Sequence, residues 1–155
     1  MPSIGEKLKA HWSSMDLKIN RGIPESELQL FERRYDVSLP DDFRSYFLSV
    51  NGMDANVCDE SLIRFWPLQE VTPLPDEAPH LVGLGTIAYA NSLFVFADYS
   101  IWAHAYAIQL GRESVQNSVY IIAGATPDRI AGSFSEFVDL YLSKSIQNVN
   151  GHASS

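Results

Sequence analysis

The stretch LPDDFRSYFLSVNG, Leu39 to Gly52, decides the fold. Pro40 presets a backbone angle suited to the first turn of a helix, and Asp41 and Asp42 place negative charge at its positive dipole end. Phe43, Tyr46, Phe47 and Val50 recur at i, i+3, i+4 and i+7, so large apolar side chains fall on one face. Asn51 and Gly52 tolerate positive φ, and the spacing predicts that Gly52 ends the helix at its C′ position. No catalytic group lies on this helix, and its residue choices serve packing.

Working upstream, Leu39 precedes a proline and is biased towards extended backbone, which separates this helix from an earlier one. The earlier helix is expected from Pro24 to near Asp36, with Glu25 and Glu27 in its first turn and Leu28, Phe31 and Tyr35 on a shared face. Ser3 and Glu6 stand at capping-box spacing before Ile4, Leu8 and Trp12, predicting a short N-terminal helix. Between these helices, Asp16 to Arg21 alternates Leu17 and Ile19 with polar residues too briefly to separate a strand from an extended linker.

Downstream the pattern changes. Leu62 to Trp66 (LIRFW) reads as a short strand stopped by Pro67. Residues 67–80 hold four of the chain's eight prolines and read as surface loop with at most a turn of helix. Leu93–Ala97, Ala103–Leu110 and Ser118–Ala123 read as further strands, and short polar connections such as GRESVQN favour antiparallel neighbours. Ser133 and Glu136 form a second capping box, opening a helix with Phe134, Phe137, Val138 and Tyr141 along its apolar stripe. The expected fold is therefore α+β, with a mostly antiparallel sheet of about four to six strands packed with N-terminal helices and a C-terminal helix. A single domain is expected over residues 1–145, followed by a flexible tail over residues 146–155.

With 155 residues, 46% hydrophobic and 19% charged, the composition is that of a folded globular chain. A formal net charge of −8 argues against non-specific nucleic-acid binding and for a basic partner. The lone Cys58 allows no intrachain disulfide and no multi-cysteine zinc site, which points to a reducing compartment. The N-terminal residues hold no unbroken apolar run, and no later window approaches the length needed to span a bilayer. The expected location is the cytoplasm, with no membrane partner.

The residue pattern offers little for catalysis. His11, His80, His104 and His152 are isolated and show no short metal-ligand spacing. GLGT at 83–86 lacks the third glycine of a dinucleotide fingerprint, and no phosphate-binding GxxxxGK[ST] or nucleophile-elbow GxSxG occurs. Asp59 and Glu60 beside Cys58 oppose thiolate formation. An enzyme built on Asp98 and His104 requires the two side chains to converge in one cleft. What remains is a set of acids and rings expected on exposed loops, Asp54, Asp59, Glu60, Asp98, Tyr99 and Trp102, with Trp66 as an apolar anchor or a core residue. Such groups suit protein recognition, since aromatic rings anchor interfaces and fixed acids steer a basic partner.

Taken in order, GIPESELQLFERRYDVSLP, LPDDFRSYFLSVNG, the Phe65–Leu68 element, FADYS leading into YAIQL, and SFSEFVDLYL resemble the SUKH superfamily, which includes a fungal regulator of cell-wall synthesis and many bacterial immunity proteins. The resemblance spans most of the chain. It implies an α+β scaffold without cofactor that binds a protein toxin, often a nuclease, and neutralises it stoichiometrically, without contacting nucleic acid itself. The alternative is a regulatory or scaffold adaptor of the same fold that uses the same surface for a cellular protein. Binding surfaces vary within the superfamily, so the resemblance assigns no site residue and no oligomeric state.

Overall fold

The structure, a computed structural model, describes residues 3–54, 57–77, 92–100, 102–112, 116–123 and 127–145. The expected tail, the GLGT stretch, His80 and His152 lie outside the described residues.

Helix α1 (Ile4–Ser14) starts as its capping box requires, the Ser3 hydroxyl accepting the Glu6 N–H at 3.2 Å. The undecided segment after it forms β1 (Ile19–Arg21), because β2 (Val50–Met53) provides an antiparallel partner, with Ile19 opposite Met53 and Arg21 opposite Val50. Helices α2 (Glu25–Tyr35) and α3 (Asp41–Ser49) follow, each entered from an extended proline. Their corner is fixed by Glu32, whose carboxylate accepts the Leu39 N–H at 2.8 Å and pairs with Arg44 of α3 at 3.0 Å.

The end of α3 differs from the sequence expectation. Val50 is already extended, with φ −155°, so the helix passes straight into β2 and Gly52 is not its C′ residue. Gly52 is required on two other counts: its φ is 62°, and a Cβ there would sit 2.5 Å from the carbonyl carbon of Trp66. Asn51 is buried as well. Its side chain accepts the Leu68 N–H at 2.7 Å and donates to Gln69 at 3.2 Å, while its carbonyl accepts from Asn20 at 3.1 Å. Asn51 and Gly52 thus weld β2 against the chain at 66–69, a contact between segments that local spacing does not reveal.

Among the described residues the main sheet is antiparallel and six-stranded. Its strands are β3 (Ile63–Phe65), β4 (Thr72–Pro73), β5 (Leu93–Tyr99), β6 (His104–Gln109), β7 (Val119–Ile122) and β8 (Asp128–Ala131). β5 is central: β6 pairs with one edge, while β3 and β4 pair with successive parts of β5, at 97–99 and 94–95. A short 3-10 turn (Leu68–Glu70) links β3 to β4, and helix α4 (Leu74–Glu77) follows, so the proline-rich segment holds more regular structure than a bare loop. β8 carries no clear strand pattern in sequence, and its Asp128 and Arg129 are exposed as on an edge.

Helix α5 (Phe134–Leu142) closes the core, capped by Ser133 accepting the Glu136 N–H at 3.1 Å. Asp42 at the start of α3 accepts from both the N–H (2.9 Å) and the hydroxyl (2.8 Å) of Ser135, which locks the two helix starts together. Phe43, Tyr46, Phe65, Phe96, Phe134 and Phe137 are all buried and meet ring to ring at centroid distances of 4.9–6.4 Å. Burying each such ring contributes about 1.5–3 kcal/mol, so this cluster is a substantial part of the core. An α+β domain with an antiparallel sheet, N-terminal helices and a closing C-terminal helix is what the sequence predicts. No helix among the described residues is long and apolar enough to cross a membrane.

Candidate protein-binding site

Two connections meet at one end of the sheet. The loop from Asp54 to Leu62 leads into β3, and the turn from Ser100 to Ala103 joins β5 to β6. They are held side by side by β3–β5 pairing and by the Ser100 N–H, which donates to the Leu62 carbonyl at 2.8 Å. Leu62, Ser100 and Trp102 all adopt positive φ (66°, 51° and 66°), an uncommon backbone region for residues other than glycine.

Arg64 secures the start of the loop. Its guanidinium donates to the carbonyls of Asp54 (2.9 Å) and Met53 (3.0 Å) and holds both carboxylate oxygens of Glu70, at 3.0 and 2.8 Å. Both Glu70 contacts come from one guanidinium nitrogen, Nη2, while Nε serves the Asp54 carbonyl. The Asp54 side chain is left exposed.

Of the residues expected to meet a partner, Asp54 and Glu60 are exposed, and Tyr99 and Trp102 are half-buried at the same end. Three others are not surface groups. Asp59 is only 4% exposed, because its carboxylate accepts the Ser61 and Ile63 N–H groups at 2.8 and 2.9 Å and the hydroxyl of Tyr141. The Tyr141 hydroxyl in turn accepts the Trp12 indole N–H at 2.7 Å, so Asp59 ties the loop to α5 and α1. Burial, the Asp59 charge and its hydrogen bond drive the Tyr141 phenol far above its ordinary pKa. Burial does the same to Tyr46.

Asp98, 9% exposed, accepts the indole N–H of Trp66 at 3.3 Å, and Trp66 itself is 4% exposed. Both are interior, and Trp66 is a core residue rather than an exposed anchor. Asp98 also cannot act with His104. His104 lies directly opposite Tyr99 and stacks on its ring at 5.6 Å, whereas Asp98, one residue earlier, points to the other face of the sheet.

Sequence reasoning missed Leu62. It is 48% exposed, next to Glu60 and hydrogen-bonded to the β5–β6 turn. A leucine inside an apolar run reads as core, yet here it sits at a corner with φ 66° and is exposed. Asp54, Glu60 and Leu62 are exposed along the chain leading into β3, and Tyr99 and Trp102 are half-buried where β5 turns towards β6. Among the described residues no group of three or more His, Cys, Asp or Glu is placed to hold a metal ion.

The described residues define an α+β scaffold, an antiparallel sheet with helices before and after it in the chain. The chain belongs to the SMI1 / KNR4 family (SUKH-1), whose family model matches residues 22–140. The match begins just before α2 and ends within α5. No curated protein matches the chain in sequence.

Proposed function

We propose that this chain is an immunity protein of the cytoplasm that binds a basic protein toxin, such as a nuclease domain, and neutralises it one-to-one, without turnover and without contacting nucleic acid. The observation that carries this reading is the net charge of −8 on a SUKH-1 scaffold. A nuclease domain presents positive charge to phosphates, and an acidic surface of matching shape competes for that charge and speeds encounter. The end surface supplies both elements of such recognition. Asp54 and Glu60 steer, while Leu62, Tyr99 and Trp102 provide area to desolvate.

Co-expression tests this directly. Cells carrying the toxin encoded beside this chain survive when the chain is present, and the two proteins co-purify. Reversing Asp54 and Glu60 to lysine slows association and weakens its dependence on salt. A chain that neither captures nor protects against the adjacent toxin refutes the proposal, and a locus with no toxin beside it favours a cellular adaptor on the same scaffold.

A further inference from the structure

Helix α2 carries two sets of charges with different fates. Glu25 and Glu32, seven residues apart, both meet Arg44 of α3. Glu27 and Arg34, also seven apart, are exposed and have no ion-pair partner among the described residues, although the Arg34 guanidinium lies over the Tyr35 ring at 5.2 Å. Between them Leu30 is 53% exposed. Beside this stripe runs a groove of about 340 Å³ with Glu27, Leu30 and Arg34 on its helix side and Ile23, Leu68 and Val71 among its apolar lining.

A helix rises about 1.5 Å per residue, so Glu27 and Arg34 lie about 10 Å apart along one face with Leu30 near the midpoint. Reversing the helix direction therefore exchanges the acid with the base and leaves the leucine near its own place. The stripe is complementary to itself under a two-fold axis, the condition an isologous interface must meet. A foreign helix would have to carry the same order of charges by coincidence; a second copy carries it by symmetry. The stripe holds one acid and one base, so it is locally neutral in a chain whose overall charge of −8 otherwise keeps copies apart.

We propose that two copies of this chain associate through antiparallel α2 helices, with Glu27 of each against Arg34 of the other and Leu30 of each seated in the other's groove. The groove on this face shares no lining residue with the loop 54–62 or the β5–β6 turn, so the self-association proposal does not rest on toxin binding.

Sedimentation equilibrium of the purified full chain, from about 1 µM to about 1 mM, tests it over the range in which modest interfaces form. The mass should rise towards twice 17.3 kDa. Glu27→Arg and Arg34→Glu should each weaken the dimer by at least about tenfold, because the two-fold axis repeats each change. The double reversal should restore it, and Leu30→Asp should leave a monomer. All three side chains are exposed, so the diluted monomer should stay folded, with a thermal midpoint only a few degrees below that of the unsubstituted chain as the charge reversals oppose the α2 dipole. A monomer throughout this range, a dimer indifferent to these substitutions, or a double reversal that fails to restore association would each overturn the proposal.

Discussion

Replacing Tyr141 with phenylalanine probes the joint on which the end surface rests. The hydroxyl, on a side chain only 3% exposed, donates to the buried Asp59 carboxylate and accepts the Trp12 indole N–H at 2.7 Å. Its removal deletes a hydrogen bond to a charged acceptor, worth about 1.5–3 kcal/mol, and strands a buried N–H at a cost of about 1–3 kcal/mol. Local relaxation recovers part of this, so a net loss of about 3 kcal/mol is expected. Almost no volume changes, which keeps cavity effects small. Urea unfolding followed by tryptophan fluorescence should show a lower midpoint with an unchanged m-value, and the melting temperature should fall by roughly 6–12 °C for a chain of this size. Asp59→Asn should destabilise in the same direction, because a neutral amide oxygen is a weaker acceptor for the same donors. A Tyr141→Phe loss below about 0.5 kcal/mol, the range of ordinary surface substitutions, would refute the reasoning.

Other substitutions test other joints. Gly52→Ala should cost about 2–4 kcal/mol in chemical denaturation, combining left-handed strain at φ 62° with a clash against the Trp66 backbone. Asp42→Ala should cost about 1–2 kcal/mol and speed amide exchange at the first turn of α5, where Ser135 loses its acceptor. In alkali, unfolded tyrosines ionise near pH 10 while Tyr46 and Tyr141 hold their protons in the fold. The folded state then binds more protons than the unfolded one, so their contribution is complete below about pH 10 and is lost progressively above it. Tyr46→Phe should flatten that alkaline fall in stability as measured by urea titration at successive pH values.

Helices announce themselves through contacts a few residues long, and those were legible. Ser3 with Glu6 and Ser133 with Glu136 are caps at fixed spacing, and both form. The aromatic stripes of α3 and α5 point into the core for the same reason, since a period of 3.6 residues leaves one face to bury. β1 stayed ambiguous because a strand of three residues exists only through its partner, 31 or so positions later in the chain, and β8 was invisible because an exposed edge strand need not alternate.

The site was harder to read than the scaffold. Asp59 and Asp98 look like solvated turn acids until Tyr141 and Trp66 arrive from elsewhere in the chain to cover them. Asn51-Gly52 looks like a helix stop until the backbone at Trp66 approaches it. Each error has one origin: a polar residue in a local pattern was assigned to solvent, when a long-range partner had satisfied it inside. Asp54 and Glu60 escape this because nothing buries them, and Leu62 escaped notice because it stands in an apolar run yet sits exposed at a corner.

The most direct measurement of the proposed function seeks a basic toxin encoded beside this chain and titrates the purified chain into it while following the toxin's activity. The account predicts a linear fall that reaches zero at one equivalent, with association slowing as salt is raised. Full toxin activity in excess of the chain, or complete loss at a small fraction of an equivalent, would contradict it.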